Sequence, residues 1–204
     1  MTTNVEDVFT DIFRNNVWKG KVPSGPGSSP TATGLIRPQL TTLFTQLDIR
    51  SLCDAPCGDG SWIFDITGGL DLYLGVDVVR ELVEANLKPG RPLNHFFACG
   101  DITRDVLPRA DAILCRDCLV HFPLETARQT LGLIRKSGSK YLITTTFPTW
   151  PANKDARLGS WRPLNLEAAP FNLPPPAVLM RERAPNPDDP YNDKSLGVWA
   201  LSDL

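Results

Sequence analysis

Residues 52–62 read LCDAPCGDGSW: a short apolar run, an acid at Asp54, a turn of small residues holding Gly58 and Gly60, and then Trp62. An apolar run that enters such a turn and continues into a helical stretch at 61–67 is the pattern of a strand leaving its carboxyl end for a helix. Glycine has no Cβ, so at 58 and 60 the backbone can bend sharply and a ligand can approach the peptide groups. Working outward, apolar runs at 51–55, 72–76, 95–98, 112–115 and 141–145 are separated by helical stretches at 61–67, 80–87 and 124–136. That alternation predicts an α/β fold, a doubly wound, mostly parallel sheet with right-handed helical crossovers. In such a sheet ligands bind outside the carboxyl ends of the strands, where the strand order reverses, and the glycine turn lies at one of those ends.

The flanks complete a single domain over 1–204. Val5, Val8, Phe9, Ile12 and Phe13 recur at three- and four-residue steps and predict an amphipathic helix of about residues 4–16. The SGPGSS core of segment 23–30 predicts a loop, and 35–47 returns to a helical period. Segment 147–176, rich in proline and tryptophan without a clean period, is expected to be a long ordered loop. Strands at 177–183 and 195–201, joined by the turn-rich NPDDPYNDK, are expected to pair as an antiparallel hairpin at a sheet edge. The layout is thus N-terminal helices with a covering loop (1–50), a core sheet that carries the glycine turn (51–146), a long loop (147–176) and a C-terminal hairpin (177–204).

Two further acids follow the next strands. YLGVDVV brings the second strand to Asp77, where a carboxylate can accept both hydrogen bonds of a ribose diol. Gly100, Asp101 and Ile102 follow the third strand. The segment at 54–60 resembles the first motif of class I S-adenosylmethionine-dependent methyltransferases, acid-x-Gly-x-Gly-x-Gly, read here as Asp54, Pro56, Gly58 and Gly60 with proline in place of the first glycine. The resemblance implies a Rossmann-like seven-stranded sheet that binds S-adenosylmethionine through those residues, with Asp77 on the ribose and Asp101 on the adenine amino group. Trp18 and Arg116 are counted with this cofactor site. An Asp after a strand is also a common turn former, an alternative that stays open above all for Asp101. The rival on the same fold is an NAD(P)-dependent oxidoreductase, whose GxGxxG needs a third glycine where this chain has Ile63. S-adenosylmethionine has no pyrophosphate and does not need it.

Methyl transfer is an in-line displacement that depends chiefly on positioning, and a hydroxyl acceptor must also lose a proton. The fourth strand, in ADAILCRDCLVHFP, carries Arg116, Asp117 and His121 beyond its end. Asp117 and His121 are four apart and would share one face of a helical turn. His121 is the expected base, titrating near physiological pH, with Asp117 orienting it; alternatively both contribute to an open magnesium site. A histidine that merely caps the turn before Pro123 is the plainer alternative, and His95, at a strand start, is expected to be structural. Trp18 with SGPGSS, and Trp150, Trp161 and Arg162, are expected to cover the cleft. WKGKVPSGPGSS, DAPCGDGSW, CRDCLVHF, GSWRPLNL and DKSLGVW together are similar to a small group of single-domain bacterial methyltransferases, some of which methylate sugar hydroxyls in mannose-containing polysaccharides. This implies a small-molecule or oligosaccharide acceptor.

Composition bounds these readings. With 42% hydrophobic and 22% charged residues the chain can bury a core without staples. Twenty-one Lys plus Arg against 23 Asp plus Glu give no broad cationic field, which argues against nucleic acid as substrate. No apolar run reaches the roughly 18 residues of a membrane span, and Glu6, Asp7 and Asp11 do not fit a signal peptide, so a cytoplasmic protein is expected. The five cysteines read as buried reduced thiols, and Cys115 with Cys118 lacks the other ligands of a zinc site. A non-catalytic cofactor-binding module and a homodimer are both compatible with the sequence.

Overall fold

The computed structural model describes residues 4–184, 186 and 188–204. Pro187, inside the expected NPDDPYNDK turn, lies outside them. Strands β1 (Ser51–Asp54), β2 (Leu72–Asp77), β3 (His95–Cys99), β4 (Ala112–Cys115), β5 (Tyr141–Thr146), β6 (Val178–Arg181) and β7 (Ser195–Ala200) form one sheet in the order β3-β2-β1-β4-β5-β7-β6. The first five are parallel, while β7 runs antiparallel to both β5 and β6. The expected hairpin is therefore present, with its second strand inserted beside β5. Strand order reverses at β1 and β4, which makes their carboxyl ends the switch point of the sheet.

Alternate residues of the inner strands feed two cores. Cys53, Ile113, Leu142 and Trp199 face one layer, and Leu52, Leu114, Ile143 and Val198 face the other. All four residues of β4 are buried, as a central parallel strand covered on both faces requires. The helices are α1 (Val5–Arg14), α2 (Pro30–Thr33), α3 (Ile36–Gln46), α4 (Phe64–Thr67), α5 (Arg80–Asn86) and α6 (Leu124–Lys136). Helix α1 is capped by the Asn4 side chain, which accepts from the Glu6 amide at 3.2 Å. Glu6 and Asp7 occupy its first turn and Arg14 its last, each complementing the helix dipole. No residue of α1 is fully buried, but Val5 and Phe9 pack on the core beside the switch point.

Three local expectations change. The helix expected over 61–67 is only the single turn α4, because the turn begun at Gly60 runs on through Ile63. The 23–30 loop contains a 3-10 turn at Pro26–Ser28 and leads into α2, started by Ser29 capping the Ala32 amide at 3.3 Å. Cys53, Cys57, Cys115 and Cys118 are buried free thiols, whereas Cys99 is exposed, because β3 is an edge strand. Among the described residues no helix is long and apolar enough to cross a membrane.

Candidate functional site

A cleft with an empty volume of about 890 Å³, the open solvent at its mouth included, lies at the carboxyl ends of β1, β2 and β4. Val5 and Phe9 of α1, with Trp18, Ser24 and Ser28 of the following segment, form one wall. Asp54, Pro56, Gly58, Asp77, Asp101, Arg116, Asp117 and His121 all line it.

The turn after β1 is shaped by the acid that ends β2. Asp77 accepts from the Gly58 amide at 2.8 Å through Oδ2 and from the Val79 amide at 2.9 Å through Oδ1. The Cys57 amide reaches the Val76 carbonyl at 2.9 Å, and Asn86 Nδ2 donates to the Gly58 carbonyl at 2.7 Å. Gly58 (φ 56°) and Gly60 (φ 62°) both take the left-handed conformation that only glycine adopts readily. Their roles differ. Gly58 faces the cleft, and a Cβ there would strike Ser24. Gly60 does not line the cleft, because its open side is filled by the Phe64 ring; its expected place against the cofactor is corrected to that of a turn former. Ser24 closes over the turn, accepting from the Asp59 amide at 2.6 Å and donating to Asp59 Oδ1 at 2.9 Å.

Burial dominates the two acids at the ends of β1 and β2. Asp54 is pushed up to about 7 by desolvation, aided by nearby Asp77 and opposed by the Tyr73 hydrogen bond and Arg116. Tyr73 donates to its Oδ2 at 2.7 Å. Desolvation also raises Asp77 against the pull of its backbone donors. Asp101 keeps the turn-forming alternative, since its Oδ1 accepts from the Thr103 amide at 2.9 Å and hydroxyl at 2.7 Å. It lines the cleft as well.

Beyond β4 the arrangement departs from expectation. Asp117 has a left-handed backbone (φ 50°), and the 3-10 turn Leu119–His121 starts only after it, so Asp117 and His121 do not share a helical face. Asp117 does not orient the imidazole either: its Oδ2 takes Lys194 Nζ at 2.6 Å, with Arg116 Nη2 at 3.4 Å. Lys194 also meets Glu182 at 3.0 Å, and Arg116 holds Glu182 through two bonds of 2.6 and 3.2 Å. Arg116 further donates to the Gly27 carbonyl at 2.9 Å and lies 5.0 Å from the Trp62 ring centre. Burial alone would raise Asp117, but Lys194 and Arg116 hold it well below the usual carboxylate range. Its Oδ1 is buried without a partner.

His121 is buried beneath Trp18, ring centres 4.5 Å apart and 24° from parallel. Desolvation lowers it to about 4 against the opposing pull of Asp117 and the Ser160 backbone. The expectation of titration near physiological pH is therefore corrected: the ring is neutral there, and its buried Nδ1 has no partner. His95 bonds Thr67 Oγ1 through Nε2 at 3.2 Å in the opposite core, as expected of a structural residue.

No group of three or more His, Cys, Asp or Glu side chains placed to hold a metal occurs among the described residues. The expected magnesium pair is disfavoured by its own chemistry, because Lys194 on Asp117 Oδ2 already neutralises the carboxylate that would hold the cation. Segment 147–176 also changes role, contributing no lining residue to the cleft. The Arg162 guanidinium is spent on the carbonyls of Leu119, Val120, Phe122 and Lys154. Trp150 and Trp161 pack on Tyr191, with ring centres 5.8 and 4.8 Å away. Sequence reasoning missed Tyr73, Glu182 and Lys194. The one available signal was charge against a buried strand, Lys194 immediately before SLGVW.

No protein-family model matches the sequence, and no curated protein matches it. Solved structures do. Magnesium protoporphyrin IX methyltransferase (ChlM) from Synechocystis PCC 6803, with bound SAM, superposes with a TM-score of 0.61 at 14% identity over 97% of each chain. The methyltransferase domain of bacterial CtHen1-C gives 0.59 at 13% identity, over 83% of this chain and 98% of that one. The apo S-adenosylmethionine-dependent methyltransferase SibL gives 0.58 at 12%, over 82% and 55%. The fold is that of the class I S-adenosylmethionine-dependent methyltransferases.

Proposed function

We propose that this protein is an S-adenosylmethionine-dependent O-methyltransferase acting on a small polar acceptor. The observation that carries the reading is the pair of buried acids, Asp54 and Asp77, at the sheet's switch point around a left-handed glycine turn, neither of them bonded to a cation. A buried carboxylate without a counter-charge is costly, so such a pair fits a ligand that brings donors. The free lone pairs of Asp77 suit a ribose diol, Asp54 an ammonium, and Asp101 an adenine amino group. Pro56 and Gly58 line the path between them, with Trp18 and Arg116 at the acceptor side. S-adenosylmethionine supplies an electrophilic methyl group on a sulfonium.

At the acceptor end His121 is neutral with a free Nδ1, the state a general base requires. As a weak base it takes the proton late, after the acceptor oxygen has gained acidity by bonding to carbon. Trp18 and Phe9 exclude water around it. A sugar hydroxyl is our reading of the acceptor, supported by the polar side chains of Ser24, Ser28 and Asp117 in the cleft lining rather than by Trp150 or Trp161. Segments 18–29 and 177–204 serve as cover and as the source of Glu182 and Lys194.

Calorimetry tests the reading. The purified protein should bind S-adenosylmethionine and S-adenosylhomocysteine but not NADH, and Asp77→Ala should abolish that binding. Normal affinity in the variant removes the site. His121→Ala should keep cofactor affinity and lose turnover by about 10²- to 10⁴-fold, the usual share of a general base. Binding without product across a panel of hydroxylated acceptors would instead favour a non-catalytic module.

A further inference from the structure

We propose that Tyr73 is a positioning residue for the cofactor's amino-acid tail: its hydroxyl fixes Asp54 through Oδ2, so that Oδ1 alone is offered to an ammonium group in the cleft. The proposal rests on the cofactor reading above and deepens it.

Tyr73 is wholly buried, and a buried phenol needs a partner for its hydroxyl. It sits on β2 opposite Leu52 of β1, two residues short of Asp54. Its ring is wedged edge-on against Phe64 (5.8 Å) and Phe97 (6.0 Å) and tilted on His95 (4.7 Å). So held, it reaches Asp54 Oδ2 at 2.7 Å. A carboxylate pinned at one oxygen cannot turn about its Cβ–Cγ bond. The Asp54 carboxyl makes no other hydrogen bond among the described residues, and Asp54 lines the cleft.

The groups facing Asp54 are Tyr73 and Asp77 of β2, Arg116 at the end of β4, and the thiols of Cys53 and Cys57. None is a cation bonded to it, since Arg116 is committed to Glu182. Its carboxyl titrates near 7, and the phenol favours the ionised form. An ammonium ligand then binds better as pH rises through neutrality, because it needs the carboxylate. A nucleoside without the amino-acid tail feels no such dependence.

S-adenosylhomocysteine carries that ammonium and 5′-methylthioadenosine lacks it, so the two separate the tail from the rest of the site. Calorimetry across the neutral pH range, on wild type and Tyr73→Phe, should show homocysteine-adduct affinity rising with a midpoint near 7 in wild type. In Tyr73→Phe that affinity should fall about three- to tenfold at neutrality, the loss of one hydrogen bond, with its midpoint moved to higher pH. Methylthioadenosine should bind both proteins equally and without pH dependence. Equal losses for the two nucleosides, or superimposable pH curves, overturn the proposal. Should Tyr73→Phe not fold, Asp54→Asn serves: it must erase the pH dependence for the homocysteine adduct alone, and a persisting dependence overturns the proposal. If neither nucleoside binds wild type, the methyltransferase reading falls with it.

Discussion

The two sides of the switch point handle buried charge in opposite ways. At the ends of β1 and β2, Asp54 and Asp77 are met by a phenol and by backbone amides, and both are pushed toward neutrality. Beyond β4, Asp117 and Glu182 are matched against Arg116 and Lys194 in one network. Removing charge from water is costly unless a partner compensates it. On the matched side each charge meets an opposite charge within the protein, and only Asp117 Oδ1 among those oxygens is buried without a partner. The unmatched side has no cation of its own, and in the function proposed above a ligand supplies the missing donors.

The hardest blow to this contrast falls on the matched side. Lys194→Met leaves two acids against one arginine and should cost about 3–5 kcal/mol in denaturant unfolding, as breaking a buried pair does. Adding Asp117→Asn should return a large part of it. A loss below about 1 kcal/mol would mean that solvent already screens the network.

On the unmatched side the opposite sign is expected. The Asp54 carboxyl is raised in the folded state from 3.8 to about 7, so its contribution is complete below the unfolded value and is lost as pH rises through 7. Asp54→Asn should therefore be more stable than wild type above neutrality, by on the order of a few kcal/mol, while binding S-adenosylhomocysteine more weakly. Equal stability at alkaline pH would show that Asp54 is better solvated than its burial implies.

His121 lies between the two regimes and should show a smaller effect. Its folded value is lowered from 6.5 to about 4, so the stability it contributes is present above 6.5 and is lost as pH falls toward 4. His121→Gln should flatten that acid limb in thermal melts, and an unchanged limb would rule out its burial as the cause. Smallest of all, the exposed Arg14–Glu81 pair tying α1 to α5 is screened by solvent, so Arg14→Ala should leave the thermal midpoint nearly unchanged, and a clear drop would show that the pair holds α1 in place.

The sheet was legible because a central parallel strand such as β4 must be apolar throughout, and a run of that kind is visible without knowing its neighbours. Asp54 and Asp77 were legible for a related reason: each ends such a run, and the glycine turn lies beside the first. The matched network was not. Lys194 and Asp117 stand 77 residues apart, and Arg116 and Glu182 stand 66 apart, so only the completed sheet brings them together. The pairing expected of Asp117 with His121 failed because a four-residue spacing implies one face only on a helix, and Asp117 is left-handed. Gly60 was misplaced because a glycine motif does not say which of its members turns the chain and which admits the ligand.

Because β7 lies between β5 and β6 although it follows both in the chain, the sheet cannot close during translation until 195–200 have left the ribosome. Until then β5 presents a bare backbone edge to other nascent chains, the sort of surface that invites mispairing. Lys194 emerges at the same moment, so this protein acquires its last strand and its final counter-charge in one step.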